Sequence, residues 1–482
     1  MATELYGVDA QLVSSIGATP VSTDTTLIFV GSSPSGDLNK PYLITSLADY
    51  AQKLGGKPGD GYNLTEAAIA AFQIAGINKI YMIPVSNDFD VQKSEYLGDA
   101  AEFTGIYAIE KMLMDAPTAV NIICAPSVED PDVIAALDGI AKRAAGHWQS
   151  FLMYDSGTDY GVQITKNGVA DAAAIVQNKQ LADGHALAVW GRVLTASGRA
   201  ISGAAVRACL QAKSDADYNA PGRSGGNLQI PQMRGVCIQP IESLETDTMT
   251  GAQSEGEHVQ PLKFNESTIE YEENTEYYIS GITVTSGSIK DPEIIDYEGE
   301  LALKFKTSGL GTYSYKLNIQ ARQNIDVTLT ESAATELSAD GICSYIYYGN
   351  GVYHTWGDHT SLFAGGTVSD ELYRFDNYIR VQMMILNRFQ LAHRFEIDDP
   401  MNLSMRNEIT NYELDQLNRL KSRGVLIGNP VVEFRPENNS TSDLQLGRFV
   451  WSFECTETPP SKYLKAEIAY TTSGLSVLTN EE

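Results

Sequence analysis

The feature that most constrains this chain is an alternation of short apolar strands with helix patterns from residue 27 to residue 213. Strand patterns fall at 27–30, 80–85, 120–125, 151–154 and 187–190. Helix patterns separate them at 46–55, 63–76, 131–146, 171–182 and 200–213. Repeated β-α units bury each strand under helices. The sequence therefore predicts an α/β domain at 27–245, built on a largely parallel, helix-covered central sheet.

Three of the predicted helices carry capping signals at their starts. Ser46 precedes the first helix, and Asn63 with Glu66 three residues later fits a capping box. Ser369 precedes a helix in the last third of the chain, with acidic residues in its first turn, where the helix dipole favours negative charge. The sequence therefore predicts helix starts at these three positions.

The pattern changes near residue 246. Helical periodicity disappears, and short β-rich pieces separated by Gly, Ser and Asn turns continue to residue 332. Twelve acidic residues and two lysines lie between residues 254 and 300, which is typical of a solvated outer face. We therefore predict an inserted all-β outer domain at 246–332.

The last third mixes helix and strand patterns. A helix follows Ser369, with an apolar face at Leu372, Phe375, Ile379, Met383, Leu386 and Phe389, and a second helix is predicted at 404–423. This favours an α+β C-terminal domain at 333–462. With extended terminal arms at 1–26 and 463–482, here named the N-terminal arm and the C-terminal arm, the prediction is a multidomain α/β and α+β chain.

Both arms carry a strand pattern without a sequence-adjacent partner strand. The alternating apolar positions are Tyr6, Val8, Ala10 and Leu12 in the N-terminal arm and Leu464, Ala466, Ile468 and Tyr470 in the C-terminal arm. An unpaired strand offers its backbone hydrogen-bonding groups to the edge of another chain's sheet. Each arm therefore either folds back onto the chain's own sheet or joins a neighbouring subunit.

Composition excludes several partners and compartments. The 482 residues carry 61 acidic and 34 basic side chains, a net charge of −27, which disfavours nucleic acid. The most apolar run, 67–77, is shorter than the roughly 18 residues of a membrane span, and no basic residue precedes Lys40, unlike a secretory signal. Five scattered cysteines argue against a disulfide framework or a cysteine zinc site. We expect a soluble chain without a cofactor, made in the cytoplasm.

Ser224 is the one candidate nucleophile in a recognised pattern, Gly222-Arg223-Ser224-Gly225-Gly226. The nucleophile elbow of a serine hydrolase needs a strand before the serine and a helix directly after it. Residues 219–221 and 227–231 are instead rich in Asn, Pro and Gly. A hydrolase using Ser224 is thus the alternative hypothesis, and the main prediction is that the chain is not an enzyme.

His354, Asp358 and His359 lie close enough in sequence to suggest metal ligands. A third strong ligand is not evident, so a turn containing Asp and His is the favoured interpretation, and we predict no metal. Gly55-Gly56-Lys57-Pro58 lacks the Ser or Thr of a phosphate-binding loop. Asp155, at the end of a strand, is better explained as a turn cap than as a catalytic group.

Several segments, taken in order, resemble the contractile tail sheath family. They are 41–56 with Gly55-Gly56, the helix ending Ile74-Ala75-Gly76, 212–227 with Asn219-Ala220-Pro221 and Gly225-Gly226-Asn227, the run Gly351-Val352-Tyr353-His354-Thr355-Trp356-Gly357-Asp358-His359-Thr360, and 424–428 after two long helices. The resemblance covers most of 1–240 and 335–482. The family usually has a basic residue where this chain has His359 beside Asp358.

The resemblance implies a structural subunit that forms stacked hexameric rings around a tail tube and contracts to drive the tube through a target envelope. Arms of neighbouring subunits would add strands to the sheet of the C-terminal domain. The implied partners are other copies of the chain, the tail tube protein, and the baseplate and tail terminator proteins. The implied location is a virion's contractile tail, assembled in the host bacterial cytoplasm. A bacteriocin or an injection system would share this sheath.

The helix at 404–423 is the predicted contact with the tube, through the basic side chains of Arg406, Arg419, Lys421 and Arg423. They lie in a nearly neutral region of an acidic chain, although ordinary helix-end charges explain them equally well. A third interpretation of the whole chain is a monomeric protein whose inserted β domain binds a ligand. It predicts no polymer at any concentration.

Overall fold

The structure is a computed structural model of the chain. It describes residues 25–57, 60–88, 91–142, 148–156, 175–176, 179–238, 241–244, 248–253, 255–261, 275–287, 289–297, 300–308, 311–323, 325–348 and 351–478. The apolar positions predicted for the N-terminal arm (Tyr6, Val8, Ala10 and Leu12), most of the helix predicted at 171–182 and the β piece predicted at 268–271 lie outside these ranges.

The first part of the chain alternates strands and helices. Its strands are β1 (Thr25–Ser32), β2 (Tyr42–Ile44), β3 (Ile80–Ser86), β4 (Val120–Cys124), β5 (Phe151–Ser156), β6 (Ala186–Trp190), β7 (Arg192–Thr195), β8 (Ala200–Ile201), β9 (Gln229–Ile230) and β10 (Met233–Ile238). Its helices are α1 (Leu47–Leu54), α2 (Asn63–Ile69), continued by a π-helical segment (Ala70–Ala75), α3 (Lys93–Leu97), α4 (Ala108–Asp115) after a 3₁₀ turn (Gly105–Tyr107), α5 (Pro131–Ala141) and α6 (Gly203–Tyr218).

The second part is all β, and the third part mixes both element types. The β-rich part holds β11 (Ile241–Leu244), β12 (Thr248–Gln253), β13 (Gly256–Pro261), β14 (Thr275–Ser286), β15 (Ile289–Tyr297), β16 (Glu300–Thr307), β17 (Gly311–Gln323) and β18 (Ile325–Val327). The third part holds α7 (Glu331–Ala339), β19 (Ile342–Tyr348), β20 (Val352–Trp356), a 3₁₀ turn (Glu371–Tyr373), α8 (Asp376–His393), α9 (Leu403–Ser422), β21 (Leu426–Glu433), a 3₁₀ turn (Pro436–Asn438), α10 (Thr441–Gln445), β22 (Ser452–Glu457) and a final 3₁₀ segment (Ser473–Leu478).

A nine-stranded sheet forms the centre, in the order β2-β3-β1-β4-β5-β6-β19-β20-β9. The six strands from β3 to β19 run parallel, and the strands at the two ends pair antiparallel. All eight residues of β1 are buried, as in a parallel sheet covered on both faces. The predicted central sheet of mixed, largely parallel strands is therefore confirmed. The chain returns to this sheet through β19 and β20, after the β-rich part.

The β-rich part forms two small sheets. In one, β17 pairs with β11, β12 and β14, and the other has the order β13-β16-β15. Phe305 on β16 contacts Tyr313 on β17 with ring centroids 5.1 Å apart, and Tyr313 stacks on Tyr315. All three aromatic side chains are buried, so the two sheets share a core. The strand pieces predicted at 277–285, 301–306 and 313–321 lie within β14, β16 and β17.

Of the three predicted capping signals, the one at Ser46 is confirmed, and those at Asn63 and Ser369 are wrong. Ser46 accepts a hydrogen bond from the backbone of Asp49 at 3.0 Å, and α1 ends at Gly55 in the left-handed region. The predicted capping box at Asn63 does not form. The carboxylate of Glu66 instead turns into the core and pairs with Arg192 at 2.7 Å.

Two further helix starts differ from the predictions. The helix predicted from residue 200 begins at Gly203, because Ala200 and Ile201 pair with β7 and Ser202 caps the helix. The helix predicted after Ser369 begins at Asp376, after a separate 3₁₀ turn. Leu386, predicted on its apolar face, is 45% exposed. Backbone pairing with other elements precedes both helices, since Ala200 and Ile201 pair with β7 and Phe375 forms a bridge with His359.

Candidate assembly surface

The C-terminal two-stranded sheet is built from β21 and β22, which run antiparallel. Its inner face packs against α8 and α9, where Val425, Leu426 and Val432 join Val381 and Leu417 in one buried cluster. In the described part of the chain no further strand pairs with either β21 or β22. Each strand therefore keeps one edge whose backbone N–H and C=O groups are available to another strand.

Within the described residues, the C-terminal arm pairs with no strand of its own chain. Residues 458–471 form neither helix nor strand, and Ile468 is 96% exposed, with Leu464 and Tyr470 almost as open. The strand predicted at Leu464, Ala466, Ile468 and Tyr470 is therefore absent from the isolated chain. A strand needs a partner for its backbone groups, and within the described residues this segment pairs with none. Large apolar side chains exposed in a row mark an interaction site.

The segment that leads into the C-terminal arm is held at two points. Thr458 donates its backbone N–H to Val425 at 3.0 Å and its hydroxyl to Gly424 at 2.7 Å. Lys462 then forms an ion pair with the buried carboxylate of Asp358. Beyond Lys462 the chain is exposed up to Thr472. The attachment of the arm is therefore defined by side chains of the folded body.

Four fully buried charged side chains join α6 to α8. Arg207 bonds to Asp376 at 3.0 Å, and Arg380 bonds to Asp215 at 2.6 Å. Burial raises the pKa of Asp215, and the neighbouring Arg380 acts against that shift. Such pairs hold two elements together because removing one partner leaves a buried charge uncompensated. The sequence analysis missed this network, although an arginine on the buried side of a helix signals a carboxylate partner.

Ser224 lies in a loop between α6 and β9, so a helix precedes it and a strand follows it. Its hydroxyl donates to the carboxylate of Asp358 and accepts the backbone N–H of Gly226. A Cβ atom on Gly225 would lie 1.9 Å from the guanidinium of Arg207. The glycines therefore allow close packing on a buried arginine. The strand-turn-helix geometry of a nucleophile elbow is absent at this serine.

The residues weighed as metal ligands do not converge. His354 contacts the side chain of Asn227 at 2.8 Å, while Asp358 pairs with Lys462. His359 stacks on Phe363 with ring centroids 3.9 Å apart, and burial lowers its pKa to about 4. Among the described residues no group of three or more His, Cys, Asp or Glu side chains could hold a metal ion.

Asp155 acts as a cap, as predicted. Its carboxylate accepts the backbone N–H of Ala204 at 2.9 Å, at the start of α6. It also accepts the N–H of Ser127 at 2.8 Å and the hydroxyl of Ser202 at 2.6 Å. Burial raises its pKa to about 6. These contacts tie the end of β5 to the start of α6 and to the segment after β4.

The four basic residues proposed to meet a tube fall into two groups on α9. Arg419 pairs with Asp415, Lys421 bonds to Asn429 and Arg423 donates to a backbone carbonyl, all at the C-terminal end. Arg406 lies about 20 Å away along the helix axis, with its guanidinium over the ring of Phe434. Three of the four therefore lie at the C-terminal end of α9, each with a different partner.

None of the described helices is both long enough and apolar enough to span a membrane.

Comparison with known proteins gives one sequence relative and several structural neighbours. No protein-family model matches the chain. Over 112 residues it is 23% identical to the tail sheath protein of Escherichia phage P2. That match covers 23% of this chain and 26% of the phage protein, so it spans about a quarter of the curated relative it matches.

The structural neighbours cover nearly the whole chain. The sheath complex of the extracellular contractile injection system PVC, in its contracted state, superposes with a TM-score of 0.59 over 98% of this chain and 99% of that one, at 13% identity. The contracted helical sheath of the anti-feeding prophage (AFP) gives 0.58 over 98% and 100%, also at 13% identity. The chain therefore has the fold of contractile sheath proteins, and its predicted resemblance to the contractile tail sheath family is confirmed.

Proposed function

We propose that this chain is the structural subunit of a contractile tail sheath. In this proposal it polymerises as stacked hexameric rings around a tail tube and contracts to drive the tube through a target envelope. The observation that carries the proposal is the C-terminal arm, an exposed apolar segment on a chain that also has a two-stranded sheet with open edges. The fold shared with the AFP and PVC sheath proteins supports it.

The dimensions of the arm suit strand exchange between subunits. The segment 464–470 would span about 23 Å when extended, which matches the length of an eight-residue strand such as β21. Leu464, Ala466, Ile468 and Tyr470 would then point to one face of the enlarged sheet. Contact with a neighbouring subunit would bury the side chains that the isolated chain exposes. The N-terminal arm is proposed to pair in the same way.

The remaining parts of the proposal concern the faces of the subunit. The acidic β-rich part at 246–332 would be an inserted domain on the outside of the sheath, and the C-terminal domain at 333–462 would face the tube. Arg419, Lys421 and Arg423, with Arg406 further along α9, would meet an acidic tube surface. Baseplate and tail terminator proteins would bind the two ends of the polymer, within a contractile tail or injection particle assembled in a bacterial cytoplasm.

No cofactor enters the proposed cycle. The extended sheath would hold its free energy in strained packing between subunits, and contraction would replace these contacts by others of lower free energy. The chain's own contribution is rigidity. The buried arginine-aspartate pairs between α6 and α8 keep the large sheet and the C-terminal helices in one arrangement.

The test is negative-stain electron microscopy of the purified chain, alone and co-expressed with a tube protein from the same genome. We expect hollow, cross-striated cylinders. Dispersed particles in both samples would contradict the proposal and favour a monomeric binding protein. A Ser224→Ala variant separates the two hypotheses, because the sheath hypothesis predicts that cylinders still form without this hydroxyl. Ester hydrolysis that disappears in this variant would instead support the hydrolase hypothesis.

A further inference from the structure

The C-terminal arm begins immediately after an ion pair that the sequence of the arm does not predict. Lys462 extends its ammonium group to the carboxylate of Asp358, which is 1% exposed. Three residues later, Lys465 pairs with Glu467, and both of these side chains are exposed. Within four positions the chain thus has one lysine fixed to the folded body, just before the arm, and one lysine in solvent, on the arm.

Asp358 is itself held in place by two other parts of the chain. Its carboxylate accepts the hydroxyl of Ser224, and its backbone carbonyl accepts the N–H of Asp376 at 2.9 Å. Asp376 is the first residue of α8 and also the partner of the buried Arg207. The acceptor of Lys462 is therefore part of the rigid interior.

The ammonium group of Lys462 also lies 5.4 Å from the ring centroid of Phe375. A cation placed over an aromatic face gains further attraction, which grows as the site is shielded from water. Phe375 is buried and stacks on His359. The lysine thus has a buried anion and an aromatic face as neighbours, which restrict its position more than a solvent-exposed ion pair would.

The segment between the two attachment points is short and stiff. Thr458 is bonded to residues 424 and 425, and Lys462 is bonded to Asp358. Pro459 and Pro460 lie between them, and each proline ring restricts its own φ to about −65°. A stiff segment that is fixed at both ends sets the direction of the residues that follow it. If the ion pair of Lys462 is lost, segment 458–462 can rotate about Thr458.

We propose that Lys462 is a positioning residue for assembly, whose ion pair with Asp358 sets the point and direction at which the C-terminal arm leaves the subunit. This inference rests on the proposed sheath function. Releasing Lys462 lengthens the mobile tether by four residues, about 14 Å of chain. The effective concentration of the arm at a neighbouring sheet then falls, because it decreases with tether length.

The first experiment measures the arm in the monomer, without any assembly. Spin labels are placed at Asn418→Cys on α9 and Ile468→Cys on the arm, in a Cys455→Ser background, and their distance distribution is recorded by pulsed electron resonance. We expect Lys462→Met to broaden the distribution at least twofold. Lys465→Met, the matched control on the same arm, should leave it unchanged, and Lys462→Arg should largely preserve it. An unchanged distribution in Lys462→Met overturns the inference.

The second experiment counts cylinders formed by the same variants. We expect Lys462→Met to reduce the yield about tenfold at equal protein concentration and well below the melting temperature of each variant, while Lys465→Met assembles like wild type. A broadened distribution with normal cylinder yield would overturn the role in assembly. Wild-type protein that forms no cylinders overturns the proposed function itself, a result that the monomer measurement cannot produce. Lys462→Gln replaces the methionine variant if that variant folds poorly.

Discussion

The large sheet and the C-terminal two-stranded sheet differ in whether their edge strands are protected from pairing with other chains. The nine-stranded sheet ends in antiparallel strands of two or three residues, β2 and β9, and its inner strand β1 is buried throughout. The sheet of β21 and β22 has two open edges, and an exposed apolar segment follows it. Short edge strands prevent pairing with other chains, whereas open edges invite it. One region pairs its strands within the chain, and the other, under the proposed function, is completed by a second molecule.

The largest expected effect comes from removing the C-terminal arm. Truncation after Lys462 should abolish cylinder formation, because the open edges lose the strand that would pair with them. The melting temperature should change by less than about 2 °C, since exposed residues contribute little to folding. Electron microscopy and thermal unfolding measure the two effects. A large loss of stability would mean that the arm belongs to the chain's own fold.

The next largest effect is expected from the buried ion pairs between α6 and α8. Arg380→Met should lower the free energy of unfolding by about 3–5 kcal/mol, because Asp215 is left buried without its partner. The control is Arg419→Met, which breaks the exposed pair with Asp415 and should cost at most about 1 kcal/mol. Urea unfolding distinguishes the two variants. Equal effects would show that the buried network does not hold α6 to α8.

A smaller, pH-dependent effect is expected at His359, between the two regions. Burial lowers its pKa to about 4, below the ordinary 6.5, so the unfolded state takes up the proton first as the pH falls. Stability should therefore be full above pH 6.5 and fall by about 1–2 kcal/mol towards pH 4, a figure reduced because the ring is only partly buried. His359→Phe, which retains stacking on Phe363, should flatten this part of the profile.

The smallest effect concerns the proposed tube contact. Reversing the charge at Arg419 and Arg423 should weaken co-sedimentation with the tube protein a few-fold, and more strongly at low salt. Both side chains are exposed, so the fold should be unaffected. The same reversal at Lys304 in the β-rich part, which is expected to face outward, is the control. Tube binding that does not change in the double variant would remove α9 from the interface.

The comparison between regions also explains what the sequence could predict. β1 and β3 to β6 were predicted within a few residues, because strands buried on both faces are continuous apolar runs. Their order in the sheet was not predicted, nor was the return of β19 and β20 to it. Both depend on contacts between distant residues. The capping box at Asn63 failed because Glu66 fits a cap locally but pairs with Arg192 in the core.

The assembly surface was predictable in part for the same reason. Alternation of apolar residues from Leu464 to Tyr470 revealed an arm, since this signal is local. That it forms no strand in the isolated chain follows from the absence of a described partner strand. The ion pair of Lys462 with Asp358 joins residues 104 positions apart. A contact between residues so far apart cannot be predicted from one sequence, whereas the two prolines before Lys462 do indicate a stiff segment leading to it.

Every copy of this chain, under the proposed function, carries both a strand to give and an edge to receive. Such a contact is head-to-tail, and it continues for as long as copies are supplied unless the geometry closes it into a ring. Stacked rings joined in this way have no inherent last member. The length of the particle would then be set not by this chain but by the proteins that determine the length of the tube and cap the last ring of the sheath.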